Sequence, residues 1–332
     1  MIWAQESIQA FTERALRPVG PATVEVKGQA RVHLGSIDLS SAVPRGGGLG
    51  FSVPELQFTL RIQALGDSCE SPPLPPSLQQ FPMFAERAKI DLSHLRIDFE
   101  SRLPEHRGLG STTQYLVALL QGCQWALGRP LLSVHQLARI GIGAESSLGV
   151  RLAFDGRPLL DLGASSPDAW GGPFMRRQPR PRAFRLRFPR EWRALIAWPR
   201  EMQGLDATAD SGFWARVLPV PEDRTLSALS ALLTDVLPAI FEPSFDDFIR
   251  GLARFNQASS KPEEWDIQPN LVRHQAKLLA DIGYTPLLSS VGPAIVVFGP
   301  SRDALSMAES KFNEEAGVWQ HVTTQFANRG RQ

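Results

Sequence analysis

Between Thr23 and Val32 apolar and polar positions alternate, with Val24, Val26, Ala30 and Val32 on one side, and Arg31-Val32-His33-Leu34 carries the pattern on. A period of two is that of a strand with one buried face. The pattern returns over Gln57–Gln63 and at Leu95-Arg96-Ile97-Asp98-Phe99, and more briefly over Leu159–Leu162. Tyr115–Leu127 is apolar for too long to be a strand and predicts a buried helix, with a second helix over Ser133–Ala138. Met1–Arg17 reads as a short amphipathic helix. After a stretch rich in Pro, Gly and Arg at 163–190, the apolar run Ala194-Leu195-Ile196-Ala197-Trp198 predicts a strand that opens a second half. Helices are expected there over Leu226–Phe241, Phe245–Phe255, Asn270–Leu279 and 302–316, with a buried strand at Ala294–Phe298 and weak alternation over Trp319–Phe326. The expectation is therefore mixed helix and sheet in two domains, 1–190 and 191–332.

Glycines punctuate this pattern twice near candidate chemistry. Val43-Pro44-Arg45-Gly46-Gly47-Gly48-Leu49-Gly50 predicts a turn between paired strands, able to adopt positive φ and to approach a ligand closely. Residues 66–82, rich in Pro and Ser, read as a surface excursion. The second glycine segment, Pro104-Glu105-His106-Arg107-Gly108-Leu109-Gly110-Ser111-Thr112-Thr113-Gln114, lies between a strand and an apolar helix. A turn that feeds a helix directs unpaired N–H groups and the positive end of the helix dipole at one point, where a phosphate or diphosphate can sit. Ser111 and Thr112 add hydroxyl donors. It is not a Walker loop, because the lysine of that motif is missing. A tight connection with an N-cap Ser would use the same residues, so the motif alone leaves both readings open.

Composition narrows the field. With 332 residues, 43% apolar and 21% charged, the chain can bury a sizeable core and is not disordered. A formal net charge of +1 argues against a nucleic-acid or membrane-surface protein, and no run approaches the roughly 18 apolar residues of a membrane span. A cytoplasmic protein is expected. Only five of 35 basic residues are Lys, none between 90 and 260, so anion chemistry there falls to Arg, His or backbone N–H. Cys69 and Cys123 have neither disulfide nor zinc-ligand spacing. His33 alternates into a strand and reads as packed, and His274, beside Arg273 and Lys277, as surface.

Four segments resemble the β-ribofuranosylaminobenzene 5'-phosphate synthase family of the GHMP superfamily: Ala30–Leu39, Arg45–Gly50, His106–Gln114 and Phe188–Arg193. The resemblance implies an α+β, two-domain GHMP-type fold, with a ribosomal protein S5 domain 2-like N-terminal domain and a ferredoxin-like C-terminal domain, and substrates bound between them. It also implies a transferase in which phosphoribosyl diphosphate loses its diphosphate while a ring carbon of an aromatic carboxylate attacks the sugar and CO2 departs. The acceptor is 4-hydroxybenzoate in the tetrahydromethanopterin pathway, or a pyrazole carboxylate in C-nucleoside pathways. Such a reaction needs a carboxylate near the cationic sugar and donors or a metal for the diphosphate.

On that basis Asp38 is assigned to the sugar hydroxyls, Mg²⁺ or the developing cation, Arg45 to the phosphate or the acceptor carboxylate, and His106 to the diphosphate or a proton shuttle. A turn-capping role for Asp38 and a solvated one for Arg45 stand beside these. Gly47, Gly48, Arg107, Gly108, Leu109, Gly110, Ser111, Thr112, Thr113, Ser289 and Ser290 are assigned to substrate phosphates, and Mg²⁺ to Asp38 and Glu145. The chain departs from the family at Ala144-Glu145-Ser146-Ser147-Leu148-Gly149, which lacks an Arg, and at Leu287-Leu288-Ser289-Ser290-Val291-Gly292-Pro293, which lacks a Gln and a Trp. These departures bear more on the acceptor than on the phosphoribosyl donor. A GHMP-type ATP-dependent kinase and a non-catalytic phosphate binder are the alternatives, and a homodimer, common in the family, stays open.

Overall fold

The computed structural model describes residues 2–37, 47–68, 72–143, 147–163, 183–205 and 207–326. The first part runs α1 Ile2–Ala15, β1 Leu16–Gly20, β2 Thr23–Ile37, β3 Gly47–Ala64, α2 Phe81–Arg87, β4 Leu95–Ser101, α3 Ser111–Ala126, α4 Val134–Arg139, α5 Ser147–Asp155, β5 Leu159–Asp161 and β6 Ala183–Arg185. The second runs β7 Arg193–Pro199, α6 Ala207–Val217, α7 Glu222–Ala231, α8 Leu237–Phe241, α9 Phe245–Ala258, α10 Lys261–Asp266, α11 Asn270–Asp281, β8 Leu287–Leu288, β9 Ile295–Gly299, α12 Ser306–Glu314 and β10 Trp319–Gln325.

The first sheet has the order β1-β2-β3-β5-β6, with β4 on the other end of β3, and the second has β10-β7-β9-β8. Every strand pair is antiparallel. Counted within the second sheet, the order is fourth, first, third, second, with α12 between the last two strands in sequence, as in a ferredoxin-like unit.

The alternation over β2 buries Val24, Val26, Ala30 and Val32 against α3, as the period of two requires. From Val32 to Gly35 every residue is buried, because α9 covers the opposite face there: Asn256 donates to the Leu34 carbonyl at 3.0 Å and Phe255 packs on Gly35. A bulge between His33 and Gly35 falls in the same place. α3 is buried on nearly every side, so it is apolar all round rather than amphipathic. Gly122 allows its close approach, since a Cβ there would lie 2.5 Å from Ile62 Cδ1.

A connected set of rings joins the sheets. Phe188 and Phe326 have centroids 4.4 Å apart, Phe51 and Phe326 5.0 Å, and Phe248 and Phe298 5.3 Å, all buried in one hydrophobic cluster that draws on both sheets.

Three local expectations change. Gly47–Gly50 are not a turn but the first residues of β3, laddered to β2 and, from Gly48 on, to β5 as well. The stretch 66–82 is not wholly a surface excursion, because Leu78 and Phe81 are completely buried beside α3. Ser147–Gly149 form the first turn of α5 rather than a loop. In each case contacts with chain distant in sequence decide the local structure. β1, α6 and α10 had no distinct sequence signal.

Candidate anion-binding loop

The loop between β4 and α3 is clamped at its start by Tyr115, whose hydroxyl accepts the Leu103 N–H at 2.6 Å and lies 3.3 Å from the Leu103 carbonyl. From there φ alternates in sign. It is positive at His106 (54°), Gly108 (78°) and Gly110 (71°), with Arg107 and Leu109 between them on the ordinary side. Alternation of this kind curls the chain so that successive N–H groups face one concavity, which favours an anion.

The carbonyls confirm the direction. His106 O accepts from Gly204 N at 2.6 Å, Arg107 O from Ala294 N at 3.1 Å, Gly108 O from Ser289 Oγ at 2.7 Å, and Leu109 O from Arg31 N at 2.9 Å. Four consecutive carbonyls are thus held by β2, the chain after β7 and the late Ser289–Pro293 turn. In a trans peptide the N–H points opposite to the carbonyl, so the N–H groups of residues 107–110 face away from those partners. No backbone N–H from Arg107 to Thr113 finds an acceptor among the described residues. Gly110 is the N-cap of α3 without a side-chain cap, so the helix dipole adds to the same field.

Beneath the loop lies Arg31, on the nominally solvent side of β2. Its Nη1 is 3.3 Å from the Gly108 carbonyl, and its Nε is buried with no hydrogen-bond partner. A Cβ on Gly110 would stand 2.5 Å from that Nε, and one on Gly149 3.7 Å, so the guanidinium sits between the first turns of α3 and α5. Burial lowers its pKa to about 10, partly offset by the charges of Asp210 in α6 and Glu264 in α10, and it stays cationic at neutral pH. Sequence reasoning missed Arg31 as a site residue. Strand period marked it as solvated, and only the two helix N-termini brought over it show otherwise.

His33 is buried, and burial, with Arg31 and Lys261 nearby, holds its pKa well below 6.5, so it is a neutral packed histidine. Its Nε2 lies over Gly48, where a Cβ would come within 2.8 Å. Gly47 and Gly48 thereby serve close packing, against Asp161 and Gly163 and against His33, and their backbone is occupied in the ladder. Asp161 itself is buried, takes Arg151 Nε at 3.1 Å, the Gly163 N–H at 3.0 Å and the Ser147 hydroxyl, and is pushed upward in pKa chiefly by desolvation.

The structure brings some of the expected site residues together and separates others. Gly108, Leu109, Gly110, Ser111, Thr112 and Thr113 come together in the loop and the first turn of α3, with His106 at its entry. Arg107 contributes its backbone only. Its guanidinium donates to the carbonyls of Arg200, at 2.5 Å, and Met202, which takes it away from the concavity. Ser289 is likewise buttress rather than ligand: completely buried, its Oγ accepts from His33 N at 3.2 Å while donating to Gly108 O, and Ser290 donates its N–H to the His33 carbonyl at 3.0 Å. Asp38, Arg45 and Glu145 lie outside the described residues.

Among the described residues no three His, Cys, Asp or Glu side chains converge as metal ligands. Nor is there a reactive thiol at Cys123, buried and raised to about 12 by desolvation.

Residues 80–155, which span the loop, α3 and α5, match the GHMP kinases N terminal domain. The chain has the GHMP fold. Among solved structures it is similar to phosphomevalonate kinase from Streptococcus pneumoniae, with a TM-score of 0.67 at 11% identity over 90% of this chain and 99% of that one. Homoserine kinase from Cytophaga hutchinsonii gives 0.59 at 14% identity, over 95% and 98%. Identities this low speak to the fold alone. In sequence the chain resembles beta-ribofuranosylphenol 5'-phosphate synthase from Archaeoglobus fulgidus, 26% identical over 91% of this chain and 96% of the relative. The enzyme of the same name from Methanocaldococcus jannaschii is 24% identical over 90% and 96%. The resemblance to that synthase family thus extends along almost the whole chain.

Proposed function

We propose that this GHMP-fold protein is a C-riboside synthase that joins the ribosyl 5-phosphate of phosphoribosyl diphosphate to a ring carbon of an aromatic carboxylate, releasing diphosphate and CO2. The observation that carries the reading is the run of unpaired N–H groups over Arg107–Thr113, with carbonyls tied back on the other side and Arg31 beneath. Similarity to beta-ribofuranosylphenol 5'-phosphate synthases supports a synthase reaction of this kind.

In this reading the loop receives the departing diphosphate as the anomeric C–O bond breaks and its electron pair leaves with oxygen, while Arg31, donating to the Gly108 carbonyl from the opposite side, holds the loop in shape and adds a buried positive charge beneath it. Preformed donors aimed at developing charge lower such a barrier without reorganisation. The ring carbon bearing the carboxylate attacks the cationic sugar carbon. The bond to the carboxyl group then breaks, its electron pair restores the ring, and CO2 departs. Asp38 and Arg45 retain the roles given by the family resemblance, at the sugar cation and at the acceptor carboxylate. Mg²⁺ is proposed to arrive with the diphosphate, since it commonly needs only one or two protein carboxylates beside substrate phosphates.

The test is to measure diphosphate and CO2 release from phosphoribosyl diphosphate with Mg²⁺, offering 4-hydroxybenzoate and a pyrazole carboxylate separately, beside an ATP-to-ADP control. Release of both products in the presence of one acceptor establishes the synthase and names its acceptor. ADP formation with a small alcohol, without diphosphate release, would assign the loop to ATP instead.

A further inference from the structure

We propose that the buried ion pair Lys261–Glu264 is the positioning device of the diphosphate loop, acting through the Ser289-Ser290 turn. The inference rests on the reading of that loop as a diphosphate site.

Both side chains are 1% exposed, with Nζ and Oε2 2.6 Å apart. A pair so deeply buried loses much of its attraction to desolvation and is weak support for stability by itself. Burial pulls Lys261 down and Glu264 up in pKa, and their mutual attraction opposes both shifts. The geometry shows what the pair holds. Lys261 Nζ also donates to the Ser290 carbonyl at 3.0 Å, and Ser260 Oγ donates to the other Glu264 oxygen at 2.8 Å. Just beyond α10, Gln268 Nε2 bridges the carbonyls of Glu264, at 2.8 Å, and Val291, at 2.9 Å. Two successive carbonyls of the late turn are therefore fixed from one short stretch of chain.

That turn needs fixing, because Ser290 has φ of +54°, which a residue with a side chain adopts reluctantly. Its geometry places Ser289 Oγ between the His33 N–H and the Gly108 carbonyl, and so directs the Leu109 N–H into the concavity. The charge of Glu264 also supports that of Arg31 beneath the loop. One carboxylate thus bears on the loop by two routes: on its backbone through Lys261, Ser290, Ser289 and Gly108, and on the Arg31 guanidinium beneath it through its charge. Among the described residues, the other charged or titratable neighbours of this group are Glu263, His33 and Asp210.

The experiment compares the wild type with K261M/E264M, which replaces the pair by apolar side chains, and with the near-isosteric E264Q. Calorimetric titration with inorganic diphosphate and Mg²⁺ is the first readout, and KM for phosphoribosyl diphosphate against KM for the acceptor the second. A positioning role predicts diphosphate binding at least tenfold weaker in both variants, with donor KM raised in parallel and acceptor KM within twofold of wild type. A merely structural pair would move thermal stability and leave that split untouched. Either variant, folded by circular dichroism yet binding diphosphate within twofold of wild type, overturns the inference while leaving the function intact. A folded wild type that binds no diphosphate overturns the loop assignment, and this inference with it.

Discussion

The hydroxyl of Ser289 donates to the carbonyl of Gly108 at 2.7 Å across 181 positions of sequence, tying the late turn before β9 to the anion loop before α3. Ser289→Ala leaves the His33 N–H without this partner and the Gly108 carbonyl with only the longer bond from Arg31 Nη1, at 3.3 Å. An unsatisfied buried group costs about 1–3 kcal/mol. The expected outcome is a loss of that size in urea denaturation, with diphosphate affinity reduced about tenfold. Unchanged affinity would show that the loop holds its shape alone.

Gly110→Ala tests the loop from the other side. The position has φ of +71°, and the added Cβ would meet Arg31 Nε at 2.5 Å. The left-handed conformation alone costs roughly 1–2 kcal/mol for a residue with a side chain. Displacement of Arg31 is expected to remove most diphosphate binding. A Gly149→Ala control, whose Cβ stands 3.7 Å from the same Nε, should retain more of it.

Arg31→Lys keeps a positive charge but loses the planar fork that spans the Gly108 carbonyl and the first turns of α3 and α5. Donor KM is expected to rise at least tenfold while the fold survives, as read by steady-state kinetics and circular dichroism. A donor KM within twofold of wild type would remove Arg31 from the site.

Stability should fall on mild acidification. Folded His33 stays neutral because its pKa is held well below 6.5, whereas the unfolded chain takes up a proton near 6.5. Protons bound only by the unfolded state weaken folding as pH drops below that value, by up to about 1.4 kcal/mol per pH unit for one such group. His135, also lowered by burial, adds to the slope. Denaturation from pH 7 to 5 should show a smaller slope for His33→Asn than for wild type, and equal slopes would contradict the neutral assignment.

The rings that join the sheets predict a single unfolding transition. Phe188→Ala removes a buried ring that touches Trp192, Phe248 and Phe326. Loss of about 3–5 kcal/mol is expected, with both halves melting together in calorimetry. Two separated transitions would show that the halves fold independently.

The sequence by itself determined the elements whose pattern is local. β2, β4, α3, β7 and β9 were legible because a period of two or a long apolar run follows directly from which faces meet the core. The Gly108–Thr112 segment was legible as a glycine turn feeding an apolar helix, a pattern that suits an anion loop and a tight capped connection alike. Only the tertiary structure decided what surrounds that loop. Arg31 lies on the polar side of its strand, and nothing local shows that two helix N-termini will cover it. Arg107 carries a charge suited to phosphate, yet the carbonyls of Arg200 and Met202, brought close by folding, take its guanidinium. Ser289 looked like a ligand and is a strut, because its partner is distant in sequence. Local periodicity reports the burial of a side chain's own element, whereas the direction of a peptide or a guanidinium depends on hydrogen-bond partners that long-range packing supplies.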